Sequence, residues 1–96
     1  DALPIWLEQA KAAMIITEKG TKLSKEIYNR LGRTTTTLRG KGLISGEKEV
    51  LYCVLTRIEV YELRRIVEEM DESAFVTIQD VSDIIGTHIK STNKIK

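Results

Sequence analysis

Few side chains in this sequence could carry chemistry. Cys53 is the only thiol and His88 the only imidazole. A metal centre needs several such ligands gathered together, so no metal site and no cofactor are expected. A nucleophilic cysteine needs exposure and an activating base. Cys53 instead stands in an apolar alternating run, where a packed core thiol is the expected role. The densest polar constellation is Gly32-Arg-Thr-Thr-Thr-Thr-Leu-Arg-Gly-Lys-Gly42. Within it Arg33, Thr34, Thr36, Arg39, Gly40, Lys41 and Gly42 supply cations, hydroxyls and glycine-flanked backbone N–H groups, which could hold a phosphate or other small anion. The run lacks the spacing of a phosphate loop. The preferred reading is an edge strand with threonines in water and glycines shaping a hairpin.

The elements that would position these residues follow from periodicity. Lys11–Thr17 alternates Ala12, Met14 and Ile16 with Ala13 and Ile15, so a strand with two apolar faces is expected. Glu18-Lys19-Gly20 reads as a turn and Thr21 as a helix N-cap. Leu23, Ile27 and Leu31 continue at helical spacing, and Gly32 suits the left-handed stop. Thr34–Arg39 predicts an edge strand, with Gly40, Gly42 and Gly46 in the bend after it. Glu49–Thr56 is again apolar on both faces: Val50, Tyr52 and Val54 against Leu51, Cys53 and Leu55. Val60, Leu63, Val67 and Met70 mark a second helix, whose Glu and Arg side chains form a wet face. Asp71-Glu72-Ser73 is a turn and Ala74–Ile78 the last strand, in which Phe75 packs in the core or on a sheet face. Asp80 is read as the cap of a short final helix, Val81–Ile85, ended by Gly86. Residues 1–9 read as a linker from a preceding segment, 10–86 as the domain, and 87–96 as a polar tail.

The order β-α-β-β-α-β predicts an α+β fold: a ferredoxin-like sandwich with a four-stranded antiparallel sheet, two helices on one face and a short C-terminal helix. Its first and third strands are central, and these are the two strands that are apolar on both sides. One sheet face is then left open and apolar, which predicts packing against another copy or another domain.

Composition narrows the function classes. With 96 residues the chain is one domain. A net charge of +1 creates no field for nucleic acid, and the central strands offer only Tyr52 for base stacking. No apolar run approaches the ~20 residues that span a bilayer. The chain opens on Asp1 rather than methionine, which is read as a fragment of a longer protein. The loop Thr17-Glu18-Lys19-Gly20 lacks the arginine that acyl-phosphate hydrolysis on this fold would use. A non-enzymatic domain is expected.

A family resemblance is carried by Gly32-Arg33, Thr36, Gly40-Lys41-Gly42, Ser45-Gly46-Glu47, Val50-Leu51, Arg57-Ile58-Glu59, Leu63, Val67, Asp71, Ala74-Phe75-Val76, Asp80-Val81 and Gly86. These residues resemble the C-terminal soluble domain of the YitT family of bacterial membrane proteins, over about Ala10 to Gly86. Thr34, Ile44, Glu72, Ser82 and the Gly86-Thr87-His88-Ile89 ending depart from the family pattern. The resemblance implies a cytoplasmic regulatory or assembly domain attached to a multi-pass membrane part of the same protein. It also implies a fold similar to the nitrogen-regulatory P-II type. A homo-oligomer through the open face and a small anionic ligand are the expected partners. The alternative is a freestanding P-II-like small-molecule-binding regulator.

Overall fold

The computed structural model of the chain describes residues 10–43 and 46–86. The segments read as linker (1–9) and tail (87–96), and the bend residues Ile44 and Ser45, lie outside the described residues.

Four strands and two helices follow in the order expected. They are β1 (Ala10–Thr17), α1 (Gly20–Leu31), β2 (Thr36–Gly42), β3 (Gly46–Thr56), α2 (Arg57–Met70) and β4 (Phe75–Asp80). The strands form one sheet in the order β2-β3-β1-β4, every neighbouring pair antiparallel. This is the ferredoxin-like arrangement, with the doubly apolar β1 and β3 at its centre. Register settles which side chains face the helices. Ala13 lies opposite Cys53 and Ile78, and Ile15 opposite Leu51 and Val76. Ala13, Ile15, Leu51, Cys53 and Leu55 pack with Leu23 and Ile27 of α1 and with Leu63, Ile66 and Val67 of α2 in one core.

The helix ends are fixed by long-range contacts as well as local ones. Thr56 and Glu59 form a reciprocal capping box at the start of α2: Glu59 N donates to Thr56 Oγ1 at 3.2 Å, and Thr56 N donates to Glu59 Oε1 at 2.9 Å. Gly32 ends α1 at φ 69°, the left-handed position expected of it. The start of α1 differs from expectation. Thr21 is not the cap, because the cap position falls two residues earlier, at Lys19, and the helix begins at Gly20. The Gly20 N–H donates to Glu49 Oε1 of β3 at 2.9 Å. A methyl group on Gly20 would stand 2.1 Å from that oxygen, so any side chain there would displace the Glu49 carboxylate from this position.

Two further expectations are corrected. Gly40 and Gly42 belong to β2 rather than to the bend, paired with Lys48 and Gly46; the edge strand begins two residues later and ends three residues later than expected, Thr36–Gly42 rather than Thr34–Arg39. Asp80 caps no helix, and Val81–Gly86 is not helical. Asp80 is the last residue of β4, and its carboxylate accepts from the Lys11 ammonium across the sheet. The same sheet end is closed by Val81 N donating to Ala10 O at 3.1 Å.

Candidate interaction face

The sheet face away from the helices is built by the alternate residues of all four strands. Register sets them in rows across the sheet. One row is Leu38, Val50, Ile16 and Phe75, apolar on every strand. The next is Thr36, Tyr52, Met14 and Thr77, and a third joins Val54, Ala12 and Gln79. Three inter-strand spacings make each full row roughly 14 Å wide. Phe75 is 62% exposed, Leu38 50%, Met14 42% and Tyr52 39%. No position in these rows carries a charge. The nearest cation on this side is Lys48, beyond Val50 on β3, and it is tied to Glu18. Phe75 is thus a sheet-face residue, and the outward set is Met14, Ile16, Val50, Tyr52 and Val54, not the Ile15 and Leu51 set.

The Gly32–Gly42 run does not converge on one point. Thr36 and Gly40 belong to the open face, opposite Tyr52 and Lys48. Arg39 and Lys41 belong to the other side of β2, opposite Glu49 and Glu47. Thr34 is exposed before the strand, and Gly42 pairs with Gly46 at the hairpin end. Arg33 is 4% exposed, and its Nε donates to Glu59 Oε1 at 2.9 Å. Glu59 is itself 17% exposed, so this is a largely buried ion pair joining the end of α1 to the first turn of α2. Of the seven residues, then, Arg39 and Lys41 are the two cations that β2 sets on one side, each facing a carboxylate.

Cys53 is buried beneath this pair. Burial pushes its thiol up to about 11, against a smaller opposite effect of the nearby Arg33 guanidinium. At neutral pH it is an inert thiol. Among the described residues no group of His, Cys, Asp and Glu is arranged to hold a metal ion.

One polar cluster gave no signal in the sequence beyond a polar turn. Asp71, 5% exposed, follows α2 and accepts from Thr17 Oγ1 at 2.6 Å. Its other oxygen accepts from Ser73 N at 3.1 Å and Ser73 Oγ at 2.8 Å. Thr17 Oγ1 in turn accepts from Lys19 N at 2.9 Å. The Thr17 hydroxyl, opposed by burial and helped by Ser73, holds the Asp71 carboxyl down at about 2. The cluster locks the β1–α1 loop to the α2–β4 loop. Only the proximity of Asp71 and Ser73 was visible beforehand; Thr17 is 54 residues away.

Comparison with known proteins agrees with this architecture. Residues 33–86 match the model of an uncharacterised protein family conserved in bacteria, DUF2179. The UPF0750 membrane protein YitT of Bacillus subtilis (strain 168) is 40% identical over 75 residues, 77% of this chain and 27% of its own length. YxkD, another UPF0750 membrane protein of that organism, is 35% identical over 81 residues, 83% of this chain and 29% of its own. The chain thus spans less than a third of the length of these relatives. Among solved structures, a DUF2179 protein from Eubacterium ventriosum superimposes with a TM-score of 0.64 at 24% identity, over 74% of this chain and 99% of that one. The nitrogen regulatory PII-like protein CPII from Thiomonas intermedia K12, solved with ADP, AMP and bicarbonate, gives a TM-score of 0.58 at 21% identity over 75% and 91%. No helix among the described residues is long and apolar enough to cross a membrane. The chain is a PII-like, ferredoxin-like domain that belongs to the DUF2179 family and has UPF0750 membrane proteins such as YitT among its relatives.

Proposed function

We propose that this domain is a non-enzymatic regulatory or assembly module, on the cytoplasmic side of a multi-pass membrane protein, that self-associates through its open sheet face. The observation that carries the reading is the uncharged face itself, with Leu38, Met14, Tyr52 and Phe75 between 39% and 62% exposed. A face without charge meets its own copy with no like-charge repulsion, which an isologous contact requires. Exposed apolar surface of this kind marks interfaces. The relatives support the attached membrane part: they are membrane proteins more than three times the length of the matched segment. Tethering to a membrane raises the local concentration of the domain and so favours contact between copies.

The experiment is light-scattering mass measurement of the purified chain beside Tyr52→Glu, which puts a carboxylate at the centre of the face. The wild type is expected to exceed the monomer mass and the variant to fall to it. Lys22→Glu, on the exposed side of α1, should leave the mass unchanged. A wild-type monomer at high concentration removes the self-association reading.

Sensing of a small anion is the finer part of this reading. It is supported by CPII, which carries nucleotides and bicarbonate on a similar fold, and by Arg39 and Lys41 on one side of β2. Thermal-shift screening of nucleotides and phosphate, with Lys41→Ala as control, tests it. A shift that survives in Lys41→Ala and Arg39→Ala would place the anion elsewhere. Screening for phosphatase and phosphodiesterase turnover tests the non-enzymatic part.

A further inference from the structure

Between α2 and the edge strand β4, on the helix side of the sheet, runs a groove of about 340 Å³, near the lower end of small-ligand sites, which run to roughly 300–1,000 Å³. It is open along the outer edge of β4, where no further strand pairs among the described residues. Its lining is of two kinds. Leu63 and Val67 of α2, both buried, form an apolar wall with Val60, and Val76 and Ile78 of β4 stand across from them. Exposed Arg64 and Glu68 of the same helix, and Glu72 just after it, add a charged rim. Asp71 also lines the groove, but Thr17 and Ser73 already hold its carboxylate.

The rim charges differ from the others along α2. Glu59 is held by Arg33, Glu62 and Glu69 by Arg30, and Arg65 lies 3.7 Å from Glu62. Among the described residues Arg64, Glu68 and Glu72 make no ion pair. Arg64 and Glu68 are four residues apart with the cation first, the weaker order for such a pair. Glu26 and Arg30, in the stronger order, do meet, at 3.4 Å. A guanidinium and a carboxylate about 6 Å apart along the helix are thus left with their hydrogen-bonding capacity unspent beside apolar walls.

The matching ligand carries an anionic and a cationic group on neighbouring atoms and an aliphatic body. We propose that the α2–β4 groove binds a free α-amino acid with an aliphatic side chain, such as leucine or isoleucine. Arg64 takes the carboxylate in a bidentate contact, Glu68 takes the ammonium, and the side chain lies between Leu63 and Ile78. The outer edge of β4 adds unpaired backbone N–H and C=O groups. With two carboxylates to one guanidinium, the rim disfavours a simple acid. An amine alone would leave Arg64 unmatched. The site uses neither the open face nor Arg39 and Lys41, so it stands or falls apart from both.

The intact chain is titrated with leucine, isoleucine, glycine, isocaproate and isopentylamine and followed by amide-resolved NMR. Leucine or isoleucine is expected to move signals of α2 and β4 saturably at millimolar concentration. Glycine, which lacks the side chain, isocaproate, which lacks the ammonium, and isopentylamine, which lacks the carboxylate, should bind several-fold more weakly. Arg64→Ala and Glu68→Gln should each lose most of the affinity. Both side chains are exposed, so circular dichroism should show an unchanged fold. Lys41→Ala should bind as the wild type does. No saturable shift with either amino acid overturns the proposal. So does isocaproate binding as tightly as leucine, a set of shifts lying outside α2 and β4, or a folded Arg64→Ala with wild-type affinity.

Discussion

Replacing Arg33 by alanine separates a structural arginine from a ligand-binding one. The guanidinium is 4% exposed, and the Glu59 carboxylate it meets is 17% exposed. Removing one partner of a buried pair leaves the other charge poorly compensated, typically at 3–5 kcal/mol. Glu59 keeps its bond from Thr56 N, so the lower end, about 3 kcal/mol, applies. A domain of this size has roughly 5–14 kcal/mol of total stability, and the loss corresponds to a fall in Tm of roughly 12–24 °C. Thermal and urea denaturation of Arg33→Ala read this directly. The cycle Arg33→Met, Glu59→Gln and the double variant isolates the coupling, which should vary little with salt because water does not screen the pair. A loss below about 1 kcal/mol, as for an exposed pair, would refute the reasoning and leave Arg33 available to an anion.

Further predictions concern the core and its loops. The Asp71 carboxyl is held near 2, below its ordinary value of 3.8. Its contribution is therefore complete above about pH 4 and lost as pH falls through about 2. Denaturation midpoints should drop over that window in the wild type and less in Asp71→Asn; equal slopes would contradict the cluster. Cys53, raised to about 11, should react with a thiol reagent at neutral pH only on unfolding, and native labelling at the rate of a free thiol would count against its burial. Gly32→Ala places a side chain at φ 69° and should cost about 1 kcal/mol in denaturant unfolding. No change would mean that the left-handed position is not required.

How much of this was legible in the sequence depended on how local each cause was. The doubly apolar runs around Ala13 and Cys53 and the helical spacing of Leu63, Val67 and Met70 record burial residue by residue, so strands, helices and topology could be read from them. Gly32 also obeyed a local rule. Thr21 was misread because the Gly20 N–H is satisfied by Glu49, 29 residues away. Asp80 was misread for the same reason: an aspartate before an apolar run looks like a cap, but this one faces Lys11 across the sheet. Arg33 looked available as an anion ligand because Glu59, 26 residues on, could not be placed beside it. The open face was foreseeable as a consequence of topology. The outward set was not, because alternation gives two apolar faces without saying which meets the helices; that depends on how the helices sit on the sheet.

The central claim, a sheet face covered by a second copy, is tested most directly by the two methionines. Met14 is 42% exposed on the open face, whereas Met70 packs at the end of α2 on the helix side. Oxidation of each is followed by mass spectrometry across a protein concentration series. Self-association through the face predicts that the Met14 rate falls several-fold as concentration rises while the Met70 rate holds constant. A Met14 rate independent of concentration, or both rates falling together, would contradict it.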